Sequence, residues 1–275
     1  MPAAALVFAL MSAVSSAIWN LLLKRAADTE AASAIAVVAA AILFAPALAF
    51  GRIPAAAWPF IACSAVLEFG YFALLAAAYR RSEMSLVFPL ARGLAPVLVL
   101  LIGLVALHVR ASGGELAGIV LIAAGAAAVR GIRGGGSLAD AGLTVLIAAC
   151  IAGYTLVDKH GVSLASPAAY FEAVLALIAL PYLALMARLR GRAALRRELR
   201  PQTALIGIGI AGGYDLVLES LRLAAAAPVA AVRECSVVIG TALAAVFLHE
   251  RVGPARWLGA CLVAAGIAIL ALAAG

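Results

Sequence analysis

Runs of about 20 apolar residues recur along the whole chain, and this one pattern removes nearly every water-soluble architecture. The spacing predicts ten membrane spans: 3–23, 31–50, 58–79, 84–107 and 115–130, then 139–157, 165–187, 202–223, 225–248 and 253–274. Composition agrees, since 67% of the 275 residues are hydrophobic and only 12% are charged, at a mean hydropathy of +1.15. That is too little polar material to cover a soluble globule. The apolar runs do not cluster once at the start, so a secretory signal followed by a soluble domain is not expected.

The predicted connections are mostly short and carry turn or charge signals, at 51–54, 80–83, 110–114, 130–137, 188–201 and 249–254. The net charge of +7 comes from arginines in these connections. No basic face with interleaved aromatics accompanies it, so nucleic acid is not an expected partner. Cys63, Cys150, Cys235 and Cys261 stand singly inside apolar runs, which predicts packing residues rather than disulfides or a metal site. No cofactor is expected.

The halves are related. "LHVRASGGELAGIVLIAAG" at 107–125 aligns without a gap on "LHERVGPARWLGACLVAAG" at 248–266, a shift of 141 residues that also carries Arg92 onto Arg233. Shifts of 135 and 143 carry "WNLLLK" at 19–24 onto "YTLVDK" at 154–159, and Tyr71 onto Tyr214. The chain therefore reads as two five-span repeats, 1–133 and 138–275. Five is odd, so the second repeat must cross the membrane in the opposite sense, the inverted-topology duplication of secondary transporters.

Two halves of five spans, glycine-spaced fifth and tenth spans, and "FLHERVGPARWLGACLVAAGI" at 247–267 resemble the EamA-type drug/metabolite transporter superfamily. "AIWNLLLKR" at 17–25, "FPLARGLAP" at 88–96, "YTLVDKHGV" at 154–162 and "VRECS" at 232–236 resemble, more narrowly, permeases associated with phosphonate-utilisation operons. The resemblance implies an all-α membrane protein, a ten-helix basket with a central cavity from both halves, and small metabolite or amino-acid-like solutes.

Charged residues inside the spans point to the site. Glu68, Arg92, Glu172, Asp215, Glu219, Arg233 and Glu234 all fall within apolar runs. At about 2.5–3.5 kcal/mol each, seven such groups facing lipid would cost about 20 kcal/mol, so they are expected to face the bundle interior. Arg92 and Arg233 fork naturally onto a carboxylate or phosphonate, while Glu234 and Asp215 suit an ammonium, which together predict an amphoteric or anionic solute. The alternative is that the arginines pair with Glu68, Glu219 or Glu234 only to fix packing. Pro89, Gly93 and Pro96 predict interrupted backbone hydrogen bonding around Arg92. Tyr71, Tyr214, Trp19, Asn20 and Tyr154 are expected cavity walls. Glu172, Glu219, Asp158 and Lys159 are candidates for coupling, to a proton, or for gating.

An intramembrane enzyme is not expected, because no nucleophile motif or metal-binding histidine pair lies within a span. Mixed-sign charges in an inverted repeat favour a carrier over a channel. The reading is a secondary active transporter of a small polar metabolite, working by alternating access as a multi-pass protein of the inner membrane, monomer or homodimer, surrounded by membrane lipids. Its alternatives are a flippase of a lipid or lipid-linked polar headgroup, or an exporter of cationic compounds. Arginine crowding after the odd spans places both termini outside the cytoplasm, whereas the resemblance implies both inside.

Overall fold

The computed structural model describes residues 1–81, 84–108, 110–130, 138–248 and 253–273. The expected turns at 82–83 and 249–252 and the join between the repeats at 131–137 lie outside the described residues. In chain order the helices are α1 (Ala3–Lys24), α2 (Thr29–Phe44), α3 (Pro46–Phe50), α4 (Trp58–Arg81), α5 (Met84–Val105), α6 (Gly113–Arg130), α7 (Leu138–Leu164), α8 (Pro167–Leu189), α9 (Arg192–Arg197), α10 (Pro201–Leu223), α11 (Ala226–Arg233), α12 (Cys235–Leu248) and α13 (Pro254–Leu272). The second span is α2 with α3, the ninth is α11 with α12, and α9 is a short helix in the basic connection. With those joined, the described residues form ten spans, six of them plainly long and apolar enough to cross a bilayer.

Local chemistry sets the ends. The Asp28 carboxylate accepts the Ala31 N–H at 3.0 Å and starts α2. Pro167, Pro201 and Pro254 stand in the first turns of α8, α10 and α13, where the missing N–H costs nothing. Pro46 similarly divides α2 from α3.

The inverted symmetry is legible in one crossing. A Cβ on Gly118 of α6 would lie 2.9 Å from the Gly266 carbonyl of α13, and one on Gly125 would lie 2.6 Å from the Gly259 carbonyl. The repeat shift of 141 pairs Gly118 with Gly259 and Gly125 with Gly266. Each contact is thus the image of the other, and the two helices run antiparallel across a pseudo-two-fold axis. Only glycine lets the backbones approach this closely.

The helices refine one sequence-based expectation and correct another. Pro89 and Pro96 have no N–H to give to the hydrogen bonding of α5, yet the helix runs on through them and Gly93, whereas in the second repeat the helix breaks at Glu234, between α11 and α12. The sixth span continues to Leu164, so Asp158, Lys159 and His160 lie inside α7 rather than at its end. Within this helix Gly161 leaves room for the Tyr170 ring, which a Cβ there would strike.

Candidate functional site

Helices α1, α2, α4, α8 and α10, with the middles of α5 and α7 and the α11 end, enclose a cavity of about 120 Å³. One water needs roughly 10–15 Å³ on this measure, so the space holds on the order of ten waters and suits a small solute. It begins at mid-bundle, at Arg92, Arg233 and Glu68, and reaches Leu23, Thr29 and Glu30 where α1 gives way to α2.

The two repeat-related arginines meet here but differ in company. Arg92 Nη1 lies 3.8 Å from Glu234 Oε1, with side-chain exposures of 13% and 5%. Arg233 closes α11, and Glu234 interrupts the helix before α12 while keeping helical dihedrals, its N–H donating to the Ala231 carbonyl at 3.0 Å. The two neighbours face different partners: Glu234 approaches Arg92, while the Arg233 guanidinium lies over the Tyr214 ring, 5.1 Å from its centroid. Arg233 Nε is buried without a hydrogen-bond partner, and among the described residues no carboxylate lies within 4.0 Å of this guanidinium.

Glu68, 6% exposed, lines the same cavity from α4 and is electrostatically coupled to both Arg233 and Asp158. Asp158 is fully buried and accepts hydrogen bonds from the Tyr170 hydroxyl at 2.9 Å and the Tyr214 hydroxyl at 2.5 Å. Tyr214 thus joins Asp158 below to Arg233 above. Its ring continues an edge-on series through Tyr154 and Tyr71, at centroid spacings of 6.0 and 6.3 Å. These rings present polar hydroxyls and apolar faces without adding charge.

Of the residues singled out in the sequence, Trp19, Asn20, Glu68, Tyr71, Arg92, Tyr154, Tyr214 and Arg233 line this cavity. Glu234 stands behind Arg92, and Asp158 stands behind Tyr214. The structure does not bring the others to the wall. Asp215 sits beside Glu172, each with a buried oxygen lacking a hydrogen-bond partner. Glu219 pairs with Arg222 at 3.2 Å near the far end of α10, and Lys159 Nζ donates to the Leu221 carbonyl.

Sequence reasoning missed Ser12, Ser16, Ser33, Glu30 and Tyr182, all on the wall. The serines repeat at helical spacing on α1, and Ser33 shares a 2.8 Å hydrogen bond with Tyr182. Serine runs among alanines were the available signal. At the rim, Arg190 Nη2 lies 2.7 Å from Asp28 Oδ2, Arg190 Nε lies 3.7 Å from Glu30 Oε2, and Glu198 accepts the Asp28 N–H at 3.0 Å. Partial burial works to raise the Asp28 carboxyl, but the Arg190 hydrogen bond, the Ala31 N–H and the guanidinium charge outweigh it and hold the group below its ordinary range.

The sequence profile of the EamA-like transporter family matches the chain twice, over residues 3–131 and 141–272. No curated protein matches the chain significantly. Among solved structures, one described as "Crystal structure of protein" superposes with a TM-score of 0.77 over 99% of both chains at 18% identity, a likeness of fold. Matched in both repeats to a transporter profile, and built as a polytopic helix bundle around a charged cavity, the chain is a membrane transporter, not an enzyme, and belongs to the EamA-like transporter family of the drug/metabolite transporter superfamily.

Proposed function

We propose that this transporter carries a small amphoteric solute, an amino acid or aminophosphonate in chemical class, across the inner membrane by alternating access around the central cavity. One observation carries the reading: Arg233 faces the cavity with no ion pair among the described residues, while Glu68 faces the same space without touching it. A guanidinium and a carboxylate close enough to feel each other, yet unpaired, leave room for a solute that brings both charges. The anionic end takes the fork of Arg233, and the ammonium takes Glu68. Arg92, engaged by Glu234, lends its field to the anionic end.

The local charge count supports coupling to a proton. Arg92 and Arg233 are set against Glu68, Asp158 and Glu234, one carboxylate in excess. In a desolvated site, one proton on the Glu68 and Asp158 pair makes the sum neutral, and a zwitterionic solute, which brings no net charge, leaves it so. In this reading that proton is the coupling ion. The Tyr214, Asp158 and Tyr170 hydrogen bonds form the closed side in this reading, and the α1–α2 rim forms the open side.

The test is thermal stabilisation of the purified protein by amino acids, aminophosphonates, simple carboxylates, polyamines and organic cations. The expected result is stabilisation by amphoteric compounds that Glu68→Gln weakens for them but not for simple carboxylates. Stabilisation by cations alone contradicts the reading and makes this an exporter of cationic compounds.

A further inference from the structure

A second space lies apart from the cavity and shares no wall residue with it. It is a groove of about 1250 Å³, roughly ten times the cavity, at the end of the bundle opposite the α1–α2 rim. The C-terminal halves of α5 and α7 and the start of α11 form its walls, with Ile102, Leu104, Leu156 and Val157 supplying the apolar surface.

Charge at this end is sparse and collected. The connections and the last two turns of the helices here carry four basic residues, Arg52, Arg110, Lys159 and Arg222, and three of them, all but Arg52, line this groove. Its acid, Glu115, is turned back on its own helix start, accepting the Ser112 N–H at 2.9 Å. Lys159 is drawn to the Leu221 carbonyl, Arg222 is half-exposed in its pair with Glu219, and Arg110 has no ion pair among the described residues. An apolar trough that begins at mid-bundle and ends among three cations, Lys159 within the last two turns of α7, Arg222 at the end of α10 and Arg110 in the connection after α5, matches acyl chains below an anionic headgroup.

We propose that this groove binds one anionic phospholipid, its phosphate held by Lys159, Arg222 and Arg110 and its acyl chains laid along α5 and α7. The lipid is a resident of the groove, not the transported solute. It clamps α5 and α7 to the start of α11, the helix that ends in Arg233.

The experiment compares phosphatidylglycerol with phosphatidylcholine of matched acyl chains, added to the full-length protein in detergent and read by native mass spectrometry and by thermal stabilisation. The expected result is about a tenfold preference for phosphatidylglycerol, given the usual attraction of each basic residue near an anionic surface and a discount for the partners two of them already hold. Lys159→Gln/Arg110→Gln/Arg222→Gln should reduce that preference to about twofold, while Arg52→Gln, outside the groove, retains it. Should the triple variant not fold, Arg110→Gln alone, at an exposed connection, is expected to lose about threefold. Equal retention of both lipids, protection by inorganic phosphate alone, or an unchanged preference in the groove variants overturns the proposal. The solute response of the central cavity is measured on the same samples, so failure here and failure of the transport reading are separable.

Discussion

Arg92 and Arg233 occupy equivalent positions in the two repeats, yet among the described residues one is held by a carboxylate and the other is not. The difference lies in the residue that follows each arginine. In the first repeat it is Gly93, which has no side chain to answer a charge. In the second it is Glu234, which stands at the break between α11 and α12 and reaches the first repeat's arginine. Duplication supplied two guanidiniums, and this one exchange of residue left one of them paired and the other facing the cavity with no ion pair among the described residues.

The largest effect expected from this contrast is on folding. Arg92→Gln removes the ion pair of buried Glu234 and should cost about 3 kcal/mol, read as a lowered melting temperature. Adding Glu234→Gln should restore stability to within about 1 kcal/mol of the native protein. Next, Arg233→Gln should leave stability nearly unchanged but weaken solute binding about 30-fold, the scale of losing one charged hydrogen-bonding partner in a desolvated site. Tyr214→Phe keeps the ring beneath Arg233 and removes the hydroxyl on Asp158, so solute affinity should fall only about fivefold. Equal binding losses in Arg92→Gln and Arg233→Gln would erase the distinction.

The smallest effect concerns a third arginine, at the rim. Arg190 is exposed, so Arg190→Ala should cost under about 1 kcal/mol. The sign with pH follows from Asp28, whose carboxyl is held below its ordinary value. Its contribution is full above the unfolded value of about 4 and is lost as pH falls through the lower folded value. Native protein and Arg190→Ala should therefore begin to converge in stability as pH falls below about 4 and meet once it has passed the lower folded value, and a gap that does not narrow over that range contradicts the assignment.

Much of this was legible in the chain. Ten spans, the duplication and the clustering of Arg92, Arg233, Glu68, Tyr71 and Tyr214 follow from hydropathy, self-similarity and the cost of charge in lipid. The helix break was not, because the proline and glycine signals surround Arg92, where the helix is continuous, while Arg233 and Glu234 have no such residue beside them. A proline in a packed membrane helix loses one hydrogen bond and need not bend the chain. Glu172, Asp215 and Glu219 lie off the cavity wall for another reason. Cost in lipid says that a charge must find shelter, not which shelter, and these carboxylates find theirs between helices or near a helix end. The serine and Glu30 wall was hidden because hydroxyls carry little penalty in a helix and Glu30 stands at a span's edge.

The central claim is that Arg233, not Arg92, holds the anionic end of the solute. It is tested most directly by comparing solute-induced stabilisation in Arg233→Gln with that in Arg92→Gln/Glu234→Gln, where the buried pair is removed together. The account predicts that the double variant responds to an amphoteric solute within a few fold of the native protein and that Arg233→Gln does not respond. A response kept by Arg233→Gln and lost in the double variant would contradict it.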